Sequence, residues 1–495
     1  MTYPNHPKND MLKIKWEKFV YWQNFPYRKD ADNMAGSTAA GDMTQGNPTR
    51  LLIRFAIPMM IGGIFQLMYN MVDTIVLGRF VGANALASIG ATSSTTSCFL
   101  FLSTGMTGGI SIVVSQLIGA GEPERVRKAS ANALLLTAFF GAAIGLIAFI
   151  GAQPLMQLLG TPADIIDGAV TYIQITCGLI IVQVAYNAIA SVLKAIGDSR
   201  TPLYFLILCS FLNIVLDLFF VLTLKMAVAG VAWATIISQG IAAVLSFIYM
   251  RRKYAILCFS RQEMAVDRKI MSDYLRYGLP MGATSCLLSV GMLVITSVIN
   301  SFGSSVVAAY TVGSKVENIA VLLFNQFAMS FSVYAGQNFG AGYRDRIYSG
   351  IKQAMRLILI LSFIAAVLML VFGRYFSMLF VDGSETEILS ISIWMIRIEA
   401  CFYPALGLIW LFNSALRGLG QVNVTIVSSI VELLSKILIS VLLSRVLGPV
   451  GIWFAAPIGW VLGGIVSGTA FYRGRWEKRL PPPKTAENAK CESHH

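Results

Sequence analysis

Charge is what this sequence is short of. Only 13% of its 495 residues are Asp, Glu, Lys or Arg, about half the ~25% of a typical soluble domain. A water-facing exterior needs polar covering, and with so little available most of the surface must face lipid. Histidine is scarcer still: His6, His494 and His495 all sit in the tails, which excludes imidazole proton relays within the apolar part. The seven cysteines show no C-x-x-C spacing, and Cys98, Cys177, Cys209, Cys286 and Cys401 fall in apolar segments. Buried free Cys behaves as a small hydrophobe, so neither a metal site nor a disulfide framework is expected. Acidic motifs in large loops are missing too, which argues against a membrane enzyme such as a polyprenyl-dependent transferase.

What is present is hydrophobic: 56% of the chain. Runs such as Leu134–Ile150 and Leu357–Phe372 hold no charged residue. A helix needs roughly 20 mostly apolar residues to cross a bilayer. Twelve candidates follow, at about 51–77, 90–118, 130–152, 168–192, 202–224, 229–250, 276–300, 308–338, 351–373, 388–413, 424–446 and 450–472. Strands are not expected, because an open sheet leaves unpaired backbone groups in lipid. The expected fold class is an all-α integral membrane protein.

The net charge of +13 is a topology signal rather than a nucleic-acid footprint. Arg125, Arg127 and Lys128 lie between helices 2 and 3. Arg251, Arg252, Lys253, Arg261, Arg268, Lys269 and Arg276 lie between 6 and 7, and Arg344, Arg346, Lys352 and Arg356 between 8 and 9. The opposite loops are acidic, with Asp164, Asp167, Asp382, Glu385 and Glu387. Lys/Arg excess marks the cytoplasmic side, so both termini are expected there, in a multi-pass protein of the cell membrane.

An internal duplication sets the architecture. Gln116-Leu-Ile-Gly-Ala-Gly-Glu-Pro-Glu-Arg125 aligns without gaps on Gln337-Asn-Phe-Gly-Ala-Gly-Tyr-Arg-Asp-Arg346, a shift of 221. Pro58 matches Pro280, Leu193-Lys-Ala-Ile-Gly197 matches Leu416-Arg-Gly-Leu-Gly420, and Gly230 matches Gly451, at shifts of 221 to 223. Six helices per repeat is an even number, so both copies share one orientation and form two six-helix lobes related by a pseudo-two-fold axis along the membrane normal. The expected domains are a polar cytoplasmic extension (1–50, with Met34 or Met43 as alternative starts), an N-terminal lobe (51–250), a basic linker (251–275), a C-terminal lobe (276–473) and a cytoplasmic tail (474–495), disordered after Arg479.

Ionisable residues inside a membrane cost ~2.5–3.5 kcal/mol by insertion scales and mark function. Helix 1 carries Gln66, Asn70 and Asp73 on one face, helix 5 Ser210, Asn213 and Asp217, and helix 6 Thr235, Ser238 and Gln239. Asp73, Asp217 and Thr235 all fall in the outer halves of their helices, so one pocket can gather two carboxylates and neutral oxygens, suited to H⁺ or dehydrated Na⁺. In the second half, Lys315 and Glu317 are expected to begin helix 8, Arg397 and Glu399 lie in helix 10, and Glu432 and Lys436 are spaced to pair in helix 11. The 276–300 segment holds no Asp or Glu, which favours ion coupling in the first lobe. Glu317 and Glu399 remain candidates for a polar cavity with Gln66 and Asn70. Pro58 and Pro280 are expected to kink their helices, and Gly105, Gly108 and Gly109 to be close-packing surfaces.

These landmarks resemble the multidrug and toxic compound extrusion (MATE) family. The matching pieces are Gly46-Asn-Pro-Thr49, Ala56-Ile-Pro58, Val72-Asp-Thr74, Gly119-Ala-Gly121, Leu193-Lys-Ala-Ile-Gly-Asp-Ser-Arg-Thr-Pro202, Asn213-Ile-Val-Leu-Asp217 and Gly230-Val-Ala-Trp-Ala-Thr235. The resemblance covers about residues 43–475. It implies export of organic cations and other amphiphilic compounds in exchange for H⁺ or Na⁺, with no cofactor beyond that ion and no enzymatic activity. It also implies an N-lobe cation site, for H⁺ or Na⁺, at Asp73, Asn213, Asp217 and Thr235, with Asn187 a weaker match. The expected partners are small molecules and the bilayer, for a monomer that binds no nucleic acid. The alternative weighed is a flippase for lipid-linked oligosaccharides.

Overall fold

The computed structural model describes residues 41–260 and 262–483. Expectations placed on residues 1–40, on Arg261 and on 484–495, including His6, Met34, His494 and His495, lie outside the described residues. Those described form helices joined by short turns, with no strand among them. In lipid every backbone N–H and C=O must find its partner within the protein, and a helix achieves this inside one segment.

The elements in order are α1 (Pro48–Val76), α2 (Ala83–Ala120), α3 (Pro123–Leu158), α4 (Ile166–Thr176 and Ile180–Ala195), α5 (Arg200–Leu218) and α6 (Ala227–Lys253). The second half repeats them as α7 (Arg268–Asn300), α8 (Ser304–Gly340), α9 (Arg344–Ser377), α10 (Thr386–Cys401 and Tyr403–Gly418), α11 (Val422–Leu447) and α12 (Pro449–Trp453 and Ala455–Tyr472). Ten spans stand alone, and α4 and α10 make twelve when each bent pair is taken as one span. Their bends, 43° and 56°, were not legible as breaks in hydropathy. Gly178 stands at the first and the Tyr403-Pro404 pair at the second, where proline lacks the N–H that would continue the ladder.

The duplication is plain in the coordinates. The starts of α2 and α8, and of α3 and α9, differ by 221, and those of α5 and α11 by 222. The turns are copied as well. Gly82 and Gly303 take φ of 112° and 94°, and Gly197 and Gly420 take 84° and 70°, a region that side chains with a Cβ rarely enter. The exterior is apolar, as the shortage of charge demands: Phe139 and Val446 are each 78% exposed.

The two halves meet where α2 packs on α7 and α8, and where α1 packs on α8. Gly105 and Gly109 form the crossing with α7. A Cβ on Gly105 would lie 2.3 Å from the Gly282 nitrogen, and one on Gly109 would lie 2.7 Å from the Tyr274 oxygen. These glycines are packing surfaces, since only bare backbones approach so closely. Near the middle of α2, Cys98 Sγ lies 3.3 Å from Cys286 Sγ of α7, a proximity that spacing does not reveal. At the basic-loop end the repeated glutamines cross between lobes symmetrically. Gln116 Nε2 donates to the Gly418 carbonyl at 2.9 Å, and Gln337 Nε2 to the Ala195 carbonyl at 2.7 Å.

Several sequence expectations need correction. The polar extension before helix 1 is docked on the helices where it is described. Met43 is buried, its N–H donates to Gln337 Oε1 at 2.9 Å, and its carbonyl accepts from Asn338 and Arg346. Polarity of the segment hid one buried methionine. Likewise Pro481 to Pro483 pack against Gly342, so this stretch of the tail is ordered. Many loop cations sit instead in helix ends that project past the apolar stretch, among them Arg125 in α3 and Arg252 in α6. For the same reason α7 begins at Arg268 and does contain an acid, Asp273, near its basic-loop end. Lys315 and Glu317 lie three turns inside α8 rather than at its start. Pro58 and Pro280 lie inside α1 and α7, where an unbroken helix is compatible with the kinks expected of them.

Candidate cation site

Asp73 and Asp217 come together. Asp73 is half-buried near the outer end of α1, while Asn213 and Asp217 on α5 are completely buried. With its amide turned to suit its neighbours, Asn213 Nδ2 donates to Asp73 Oδ1 at 2.8 Å and to Asp217 Oδ2 at 3.1 Å. The other amide atom of Asn213 then faces Thr235 Oγ1 of α6 at 3.4 Å. Thr235 donates to the Val231 carbonyl at 3.0 Å, and Tyr69 OH donates to Thr235 Oγ1 at 3.4 Å. One buried carboxylate oxygen, Asp217 Oδ1, has no hydrogen-bond partner.

The backbone explains how these groups are held. Asn213 and Asp217 are one helical turn apart, so both face α1. Directly after each aspartate-bearing stretch the helix widens into a π-turn, Leu77–Val81 in α1 and Phe219–Thr223 in α5. Such turns free backbone groups and often accompany functional sites. Val76, Val221, Val228 and Val231 then pack together outside the polar group, shielding it with apolar side chains.

The donor set fits a small hard cation. Two carboxyls and a threonine hydroxyl are oxygen ligands of the kind that alkali and alkaline-earth ions accept. No group of three or more His, Cys, Asp or Glu gathers among the described residues, so this set suits a proton or a monovalent ion. In a low dielectric two adjacent carboxylates cannot both stay charged cheaply, and an unpartnered buried oxygen costs about 1–3 kcal/mol.

Not every candidate joins this group. Asn187 is half-buried on α4, and none of the described hydrogen bonds ties it to the aspartates. Gln66 is exposed on α1, and the side chain of Asn70 lies outside the described residues. Gln239 is half-buried, with its shielded Oε1 unpartnered. Conversely, Tyr69 and Tyr172 stand beside Asp73 and were missed. Tyr69 was readable, because it lies four residues before Asp73 on the same face; Tyr172 comes from α4 and had no local signal.

A second charge cluster, half-buried except for the buried Glu399, occupies the C-terminal half. Glu317 of α8 faces Glu399 of α10, with Lys436 nearby. Lys436 Nζ pairs with Glu432 Oε1 at 2.9 Å and lies 5.7 Å from the centre of the Trp460 ring. Glu399 Oε2 has no hydrogen-bond partner.

Comparison with known proteins bears on the family and the fold. The chain is 29% identical over 443 residues to "Probable multidrug resistance protein YpnP" of Bacillus subtilis, covering 88% of this chain and 98% of that one. It is 24% identical to a "FAD transporter" of Shewanella oneidensis, covering 84% and 92%. A solved outward-facing MATE transporter of the MOP superfamily superposes with a TM-score of 0.84 at 22% identity, covering 90% of this chain and all of that one. The MatE family model matches residues 58–219 and 280–463, one block in each half. The chain is a multi-pass membrane protein that belongs to the MatE family of transporters, the family its motifs resemble.

Proposed function

We propose that this protein exports small organic compounds across the cell membrane by antiport against H⁺ or Na⁺, with Asp73 and Asp217 taking the ion. The observation that carries this reading is the Asn213 bridge between the two carboxyls, beside a buried carboxylate oxygen with no partner. Asn213 holds the carboxyls close while Thr235 and Tyr69 add neutral oxygens. An ion arriving there removes one of the pair's two negative charges, and its departure restores two adjacent charges that favour another packing of α1 against α5 and α6.

The basic helix ends support a cytoplasmic location for both termini. With the lobes joined at that end through Gln116 and Gln337, the arrangement is closed inward, and the ion enters from outside. Ion binding then favours release of cargo outward and return of the lobes. One pH unit of gradient supplies ~1.36 kcal/mol and ~100 mV supplies about 2.3 kcal/mol per charge. One proton therefore sustains a concentration ratio of about tenfold or more.

The cargo is amphiphilic, in keeping with a relative named for multidrug resistance. A second reading, an organic anion, is favoured by a relative named as a FAD transporter and by Arg417, whose Nε is buried without a partner. Proteoliposomes loaded with either a fluorescent organic cation or FAD, under separately imposed pH and Na⁺ gradients, test both. Gradient-driven movement of the cation supports the main reading; movement of FAD alone supports the second. No response of either cargo to either gradient overturns antiport.

A further inference from the structure

Far from the aspartates, a cavity of about 260 Å³ opens between the basic-loop ends of α10, α11 and α12. Val424, Val466, Ala470 and the buried Trp476 give it an apolar lining, and Arg473 and Arg475 line it as well. Neither guanidinium group has an ion-pair or hydrogen-bond partner among the described residues. Glu477, the nearby acid, is committed elsewhere: Arg344 Nε lies 2.9 Å away and the Tyr348 hydroxyl donates to it at 2.5 Å. Those contacts hold the Glu477 carboxyl below its usual range, the Tyr348 bond first and Arg344 after it. Two free guanidinium groups therefore border a pocket that has no acid of its own.

Along the same two helices toward mid-membrane, Val427 of α11 is 52% exposed and Ile465 of α12 is 55% exposed. Charged groups at the pocket and bare aliphatic surface beyond it match the two ends of a phospholipid. Arginine suits a phosphodiester because its planar fork meets two oxygens at once. Basic pockets between spans on the cytoplasmic side are established headgroup sites as a class.

We propose that this cavity binds the headgroup of an anionic phospholipid of the cytoplasmic leaflet, with Arg473 and Arg475 holding the phosphate and the acyl chains lying along Val427 and Ile465. The leaflet rests on the orientation given above; the headgroup chemistry does not. Native mass spectrometry of the full-length protein, offered phosphatidylglycerol, phosphatidylcholine or inorganic phosphate, tests it. Phosphatidylglycerol should be retained over phosphatidylcholine by roughly tenfold or more. Arg473→Gln with Arg475→Gln should abolish that preference, and so should Val424→Trp, which keeps both charges but fills the cavity. Equal retention of the two lipids, or an unchanged preference in both variants, would overturn the proposal. Displacement of the lipid by millimolar inorganic phosphate would also overturn it, in favour of a free-phosphate site. Reaction of Arg473 with an impermeant arginine reagent outside intact cells would overturn the leaflet while leaving the headgroup chemistry standing.

Discussion

The two lobes share one helix plan but treat buried charge differently. In the first lobe Asp73 and Asp217 meet over Asn213, with no basic side chain among their described contacts. In the second lobe Glu317 and Glu399 meet near Lys436, which also pairs with Glu432. The repeat shift of 222 between α5 and α11 sets Ser435 opposite Asn213, so Lys436 stands one residue from the matching position. Only the first lobe, among the described residues, widens into π-turns after its acidic positions. Under the proposed antiport, the difference marks the first lobe as the place for an exchangeable cation. A resident ammonium already serves the second lobe, while the first lobe has a carboxylate oxygen left over. On this account the first site couples and the second holds the fold together.

The largest effect should come from removing charge in the first lobe. Asp217→Asn or Asp73→Asn is expected to bring gradient-driven transport in proteoliposomes down to that of empty vesicles, with unchanged gel filtration. Glu399→Gln should keep most of the wild-type rate; the reverse pattern would break the comparison. Nearly as large, but reversible, should be oxidative cross-linking of Cys98 to Cys286, whose sulfurs lie 3.3 Å apart across the lobes. Transport is expected to stop on treatment with copper phenanthroline and return with a thiol reductant, and Cys98→Ser should be insensitive.

A third effect concerns stability rather than rate. Lys436→Met leaves Glu432 without its partner; the pair is half-buried, so the cost should fall below the ~3–5 kcal/mol of a fully buried pair broken from one side. Thermal unfolding in detergent should show that loss, with partial recovery in the double variant with Glu432→Gln. Smallest is Asp198→Asn. Burial works against the Asp198 carboxylate, but bonds from Thr201 and Tyr254 and the charge of Lys253 outweigh it and hold it below its ordinary value. A lowered folded value gives stability that is present above the unfolded carboxylate range and lost as pH falls through the folded value. Wild type should therefore lose about 1–3 kcal/mol on acidification that the variant has already lost at neutral pH, a difference readable from unfolding midpoints across pH.

Much of this was legible in the sequence. Scarcity of charge gave the membrane, the repeat of Gln116 and Gln337 gave two lobes, and helical spacing put Asp73 on one face and Asn213 with Asp217 on another. What escaped was non-local or sub-turn geometry. Hydropathy averages over about 20 residues, so it passes smoothly across the bends at Gly178 and Tyr403. It cannot see a π-turn, which adds one residue per turn without changing composition. Tyr172 reaches the aspartates only because α4 folds back against them, and Lys436 approaches Glu317 from another helix, so neither carries a local mark. The Gly197–Pro202 motif looked like part of the transport signature. In the fold, Asp198 binds the Arg200 and Thr201 backbone N–H groups at 3.1 and 3.0 Å and starts α5, a structural duty.

The most direct measurement counts ions leaving the protein when cargo binds. Purified protein in weakly buffered detergent, with a pH indicator and separately with radioactive sodium, should release H⁺ or Na⁺ on addition of a transported compound. The account predicts that Asp73→Asn with Asp217→Asn abolishes release, and that Glu317→Gln with Glu399→Gln leaves it intact. Undiminished release from the first double variant, or its loss in the second alone, would contradict the account.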